Sequence, residues 1–147
     1  MRIYLGFTVR GDRSALEAAR YVAGRLQDRG HEILTTHLLR DDVEAVEQSR
    51  SNREVYLRDI AWVESCDVLV AEASGSSYGV GFEVGYLLGR APQTGQRAIV
   101  MYRRDRHQAI SRMITGLTSE HGRVFAYESE ADLEGVVDAV EQCGVGG

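Results

Sequence analysis

The sequence predicts an α/β fold: a single-domain, flavodoxin/Rossmann-like three-layer sandwich around a five-stranded parallel sheet. Three observations carry this. Short apolar runs rich in β-branched residues alternate with segments whose apolar residues recur at helical spacing. The run at 67–71 (DVLVA) is nearly continuous, as in a strand buried on both faces. The 147 residues hold no repeat, low-complexity tract or linker, so one domain is expected over 1–147. Right-handed crossovers leave few topologies, and a flavodoxin-like strand order is expected.

Each element has a local reason. The opening run RIYLG, Arg2–Gly6, reads as a strand. Ser14 and Glu17 have the spacing of a capping box. Leu16, Ala19, Val22, Ala23 and Leu26 then follow at helical spacing, and Gly30 ends the helix. Residues 32–36 (EILTT) read as the second strand. Residues 41–53 are polar, with only Val43, Ala45 and Val46 apolar, and read as an exposed, mobile helix or loop. Val55, Ile60, Trp62 and Val63 mark a helix through about Glu64. The third strand at 67–71 leads into a Ser/Gly loop at 74–77. Val80, Val84, Leu87 and Leu88 mark a helix ending near Gly89, with Pro92 beyond its end. Residues 98–102 read as the fourth strand, 107–116 as a short helix closed by Gly116, and 124–127 as the fifth strand. Ser129 and Asp132 cap a last helix through about Cys143.

Composition excludes several classes of function. The apolar runs are far too short for a membrane span, and no charged-then-apolar leader opens the chain, so a cytoplasmic location is expected. Two cysteines, Cys66 and Cys143, make neither a disulfide framework nor a four-ligand zinc site. A net charge of −5 without a basic stripe argues against a nucleic-acid polymer. All 17 basic residues are arginine. Schiff-base and P-loop lysine mechanisms are therefore excluded, and a bound phosphate would rest on arginine, hydroxyls and backbone N–H groups.

In an open parallel sheet, ligands sit beyond the carboxyl ends of the strands. The loops to inspect are thus 7–13, 36–40, 72–83 and 102–111. The first combines the Thr8 hydroxyl, the Arg10 guanidinium and a helix start, which together suit a phosphate. It is neither a Walker motif nor a dinucleotide fingerprint, and an ordinary strand-to-helix turn remains the alternative. The third loop offers Ser77 near a helix start, Gly79 and Gly81 for close backbone approach, and Glu83 within an apolar stretch. Glu83 reads either as a helix-dipole partner or as an aimed catalytic group. Asp59 reads as a carboxylate paired with Arg53 or Arg58, or as a second catalytic group. His37 ends the second strand at the ligand edge. Two carboxylates with neither metal nor cofactor suit glycosidic-bond chemistry.

These residues also carry a resemblance. The stretches YLGFTVRG (4–11), LTTH (34–37), RDIAW (58–62), AE (71–72), SYGVGFEVG (77–85) and SRMITG (111–116) resemble the nucleoside 2-deoxyribosyltransferase superfamily. Within it the chain is most similar to the 2'-deoxynucleoside 5'-monophosphate N-glycosidases, the Rcl type. The resemblance covers residues 3 to about 127, and the segment around Glu83 is its most specific part. It implies hydrolysis of the N-glycosidic bond of a 2'-deoxynucleoside 5'-monophosphate through a covalent glycosyl intermediate. Glu83 matches the nucleophile, Asp59 the carboxylate that orients it and moves the proton of the leaving base, and Tyr4 a tyrosine beside the sugar. Thr8, Arg10, Gly11 and Ser77 match the 5'-phosphate cradle, and His37 a histidine near the ligand. Ser111 matches a serine that reaches the phosphate from a neighbouring subunit, so a homodimer with shared sites is implied. No cofactor or metal is implied.

Two departures stand out. Phe7 replaces a glycine and is expected to reshape the substrate pocket, and Thr8 replaces a serine while keeping its hydroxyl. An ionised nucleophile is needed, so the site is expected to hold the Glu83 pKa low. Three alternatives remain: a deoxyribosyltransferase, a CMP-type ribonucleotide N-glycosidase, and a non-catalytic nucleotide sensor. Tyr4 favours deoxyribose, since ribonucleotide-hydrolysing relatives can carry phenylalanine there.

Overall fold

The computed structural model describes residues 1–8, 15–75 and 77–144. Five parallel strands form one sheet: β1 (Arg2–Gly6), β2 (Glu32–Ile33), β3 (Val68–Glu72), β4 (Arg97–Arg103) and β5 (Gly122–Tyr127). Their order, β2-β1-β3-β4-β5, is the expected flavodoxin-like one. Helices α1 (Leu16–Asp28) and α6 (Glu130–Gly144) cover one face, and α3 (Asn52–Ser65) and α4 (Tyr78–Thr94) cover the other. The short α2 (Val43–Gln48) and α5 (Arg112–Thr115) lie in the connections. Among the described residues, no helix is long and apolar enough to cross a membrane.

Strand alternation divides the core. Ile3, Leu5, Val68, Val70, Ile99 and Met101 pack against α1 and α6. Tyr4, Leu69, Ala71, Ala98 and Val100 pack against α3 and α4. All five residues of β3 are buried, as expected of the central strand. This parity decides which residues near the end of β1 face the helix that carries Glu83.

Several boundaries differ from the sequence reading. The second strand pairs over two residues only, and 3-10 structure begins at Thr36. The fully buried Thr35 replaces further ladder bonds with its side chain: its Oγ1 accepts from the Leu5 N–H at 3.0 Å and donates to the Leu5 carbonyl at 2.7 Å. The polar 41–53 segment contains α2, which is anchored by the fully buried Val43. Ser51 and Glu54 form a capping box at the start of α3 that the sequence reading overlooked. Helix α4 continues past Gly89, with Pro92 inside its last turn. Its apolar stripe persists to the buried Ala91, and a glycine costs a helix only about 1 kcal/mol against alanine. Gly95, at φ 75°, ends it. The segment expected as one helix at 107–116 is a 3-10 turn, Arg104–Ala109, followed by α5. Ser14, half of the expected first capping box, lies outside the described residues.

Thr35→Val keeps the volume but strands the buried Leu5 N–H and carbonyl. It is expected to destabilise the protein by about 1–3 kcal/mol, read as a lower urea midpoint with unchanged slope.

Candidate active site

The site forms where β1 and β3 end and α4 begins. Tyr4, Gly6 and the adjoining Thr8 share the parity that points toward α4. The turn before α4 is capped by Ser77, whose hydroxyl accepts from the Val80 N–H at 3.4 Å. One and a half turns further along, Glu83 meets the sheet. Tyr4 Oη donates to Glu83 Oε1 at 2.7 Å, joining residues 79 positions apart. The second oxygen, Oε2, lies over the backbone of Gly6, where an added β-carbon would sit only 2.8 Å away. The sequence reading treated Gly6 as the end of a strand. In the structure its missing side chain is the space the carboxylate occupies.

Burial pushes the Glu83 carboxyl up from 4.5 to about 7, and the negative charge of Asp59 adds to this against the Tyr4 hydrogen bond. This overturns the expectation that the site holds this pKa low. Desolvation is the largest influence, and no cation offsets it among the causes of the shift. Burial, the charges of Glu83 and Asp59, and the bond to Glu83 push the Tyr4 phenol far above its ordinary value. Tyr4 is therefore a fixed donor and holds Glu83 in one rotamer.

Asp59 comes from α3 and is half-buried. Its Oδ1 accepts from Arg58 Nε at 2.8 Å. The same guanidinium makes a two-pronged bond to Glu47 of α2, at 2.7 and 3.0 Å, and lies 5.0 Å from the centre of the Trp62 ring. His37 stands on the 3-10 turn rather than at a strand end. Its ring lies 5.4 Å from that of Trp62, and its Nε2 lies 3.4 Å from Glu47 Oε1. Burial and the Arg58 charge lower its pKa, so the neutral ring is favoured near neutrality. Asp59 and His37 thus share one network with Glu47, Arg58 and Trp62. Glu47 and Trp62 were missed as site residues. Glu47 is on a different helix, and no sequence spacing connects it to Arg58.

The expected phosphate cradle is described in part. Arg10 and Gly11 lie outside the described residues. Thr8 Oγ1 is buried and finds no hydrogen-bond partner among the described residues. It sits so close to Gly75 that a β-carbon there would lie 2.0 Å from it. Gly79 and Gly81 occupy the first turns of α4 and are exposed. A β-carbon at Gly81 would meet no protein atom, and one at Gly79 only Ser77 Oγ at 3.5 Å, so the fold's own packing does not demand glycine at either. Ser111 is exposed, and its hydroxyl caps α5 by accepting from the Met113 N–H at 3.3 Å. Phe7 requires correction. It is 4% exposed and belongs to the core beneath α1 and α6, on the opposite face from Tyr4 and Thr8, so it does not line the pocket beside Glu83. Its strand parity carried that signal.

A flavodoxin-like domain with a tyrosine-clamped carboxylate at the carboxyl edge of its sheet is a candidate nucleotide-handling enzyme. The nucleoside 2-deoxyribosyltransferase family model matches residues 3–143, and the chain belongs to that family. A Thermofilum pendens protein with the provisional name 2'-deoxynucleoside 5'-phosphate N-hydrolase 1 is 41% identical over 141 residues, covering 96% of this chain and 93% of that one. The 5-hydroxymethyl-dUMP N-hydrolase of Danio rerio is 31% identical over 121 residues, covering 82% of this chain and 81% of that one. The solved structure of the Clostridium botulinum CMP N-glycosidase BcmB shares the fold, with a TM-score of 0.63 at 17% identity, over 95% of this chain and 99% of that one.

Two expected outcomes follow from this geometry. Gly6→Ala crowds Glu83 Oε2 and shifts the carboxylate from its place beside Tyr4; it is expected to lower turnover about tenfold in a folded protein, measured by steady-state kinetics beside circular dichroism. A carboxyl raised from 4.5 to about 7 on folding binds more protons in the native state, so its ionisation costs stability as pH rises through that window. Glu83→Gln removes that cost. The variant is expected to match the wild type in stability below about pH 4.5 and to exceed it at pH 8 by on the order of 1–3 kcal/mol, read as a Tm difference that grows with pH. Parallel Tm–pH curves would disprove this.

Proposed function

We propose that the chain hydrolyses the N-glycosidic bond of 2'-deoxynucleoside 5'-monophosphates, giving the free base and deoxyribose 5-phosphate. The observation that carries this is the hydrogen-bonded Tyr4–Glu83 pair, with Tyr4 buried and Glu83 half-buried, beside Asp59, in a chain whose relatives are named for deoxynucleotide N-hydrolysis. In this reading Glu83 attacks C1' as the C1'–N bond breaks, and the bond's electron pair leaves with the base. Asp59 supplies the proton that the base nitrogen takes. Its Oδ1 accepts from Arg58 Nε, which fixes the carboxyl group's orientation. Water then attacks C1' with Asp59 as the base, releasing Glu83 and the sugar phosphate. Tyr4 keeps Glu83 aimed and packs against the sugar. His37 and Trp62 form the wall on which the base rests.

Thr8, Arg10, Gly11 and Ser77 bind the 5'-phosphate in this proposal, with Gly79 and Gly81 leaving room for its approach. The buried Thr8 hydroxyl, without a partner among the described residues, supports it, because such a group costs stability unless something engages it. Remote binding of the phosphate then orients C1' against Glu83. The enzyme acts as a cytoplasmic homodimer, with Ser111 reaching the phosphate of the neighbouring site. The exposed Met113, two residues from Ser111, and the exposed Tyr56–Phe82 ring pair support a partner surface.

Base release is read by chromatography from deoxy- and ribonucleoside monophosphates and the matching nucleosides. Release fastest from deoxynucleoside monophosphates is expected, and silence on the whole panel would overturn the proposal. Glu83→Ala is expected to lose about 10³-fold or more in kcat with the fold intact. Activity rises with pH through about 7 as Glu83 ionises. For shared sites, mixing inactive Glu83→Ala with impaired Ser111→Ala subunits is expected to restore one complete site per mixed dimer. No recovery on mixing would refute the contribution of Ser111 in trans.

A further inference from the structure

Glu72 is the last residue of the central strand β3 and is 0% exposed. The mechanism above does not use it. Its parity places it with Val68 and Val70 on the α1/α6 face, opposite Glu83 but at the same end of the sheet. Three donors converge on it. The Ser74 N–H reaches Oε2 at 3.1 Å, Tyr127 Oη reaches Oε1 at 3.1 Å, and Ser74 Oγ donates to Oε1. Ser74 Oγ in turn accepts from the Arg103 N–H at the end of β4, at 2.8 Å. A single buried carboxylate therefore ties the chain leaving β3 to β4 and β5.

That chain is the turn into α4. Ser74 is followed by Gly75, whose α-carbon is seated against the Thr8 hydroxyl, and then by Ser77, which caps α4. A buried charge that merely filled the core would be replaceable by an apolar residue at no loss, so its hydrogen bonds are what the site gains from it. Resting on the reading of the site given above, we propose that Glu72 is a positioning residue for substrate phosphate. It fixes Ala73–Gly75 from the opposite side of the sheet, so that Gly75 holds Thr8 beside the start of α4, which faces the 5'-phosphate. Glu72 touches no substrate itself.

The test compares wild type, Glu72→Gln and Ser74→Ala. Binding of 2'-deoxyribose 5-phosphate and of 2'-deoxyribose is measured by calorimetry, and kcat and KM by base release from a deoxynucleoside monophosphate and its unphosphorylated nucleoside. Glu72→Gln is expected to weaken sugar-phosphate binding and to raise KM for the monophosphate by about tenfold, with kcat within about threefold. The preference for phosphorylated over unphosphorylated substrate falls by the same factor, a split that general loosening of the fold does not produce. Ser74→Ala moves the same way by a smaller factor, and it decides the matter if Glu72→Gln does not fold. Equal losses on both substrates, or affinities unchanged in the folded variants, would overturn the inference, as would a wild type that does not bind the sugar phosphate. A wild type that binds it but releases no base, with binding weakened in the variants, would leave the inference standing and sink the proposed hydrolysis instead.

Discussion

The bond between Tyr4 and Glu83 depends on nearly everything else in this fold. It joins the second residue after the β1 start to the second turn of α4, and both groups are withdrawn from water. A carboxylate in that position is costly to ionise, and its burial raises the pKa to about 7. The cost is tolerable only because the surroundings are rigid. Parallel pairing of β1 with β3 fixes Tyr4, and the capped start of α4 fixes the approach of Glu83. Gly6 supplies the space between them. A side chain on Gly6 would crowd the carboxylate, and one residue of slip in β1 would turn Tyr4 to the other face and remove the pair.

Around that pair, charge is arranged asymmetrically. Asp59 and Glu47 are compensated by one shared arginine, Arg58, which also lies over Trp62. Glu83 has the Tyr4 hydroxyl instead of a cation. Two nearby carboxylates therefore sit in unlike environments, the condition under which acid and base roles separate. Glu72 adds a fully buried carboxylate on the other side of the sheet, held by three hydrogen-bond donors and favoured by the Arg103 charge. Ser74, bonded to Glu72, directly precedes Gly75, which lies against Thr8.

The fold was legible because its cues are local. The continuous apolar β3, the helical spacing in α1 and α6, and the Ser129–Asp132 cap all act within a few residues. Errors arose where a distant contact overrode a local one. Thr35 left the strand because its hydroxyl bonds the backbone of Leu5, 30 residues away. Helix α4 outlasted Gly89 and took in Pro92 because Ala91 is buried against the sheet. Phe7 was assigned to the pocket from its neighbours in the chain, while strand alternation sends it into the opposite core.

The sequence by itself determined the fold class, the parallel order of the sheet and the absence of lysine chemistry, while its resemblance to a family pointed to Tyr4, Asp59 and Glu83 as the residues to watch. Those follow from periodicity, composition and motif, which are properties of short stretches. Only the tertiary structure decided that burial pushes the Glu83 carboxyl up to about 7, that Gly6 makes its room, and that Glu47 and Trp62 gather around Arg58 beside Asp59. Desolvation and side-chain contact are set by what the rest of the chain brings alongside a residue, and no local pattern encodes them.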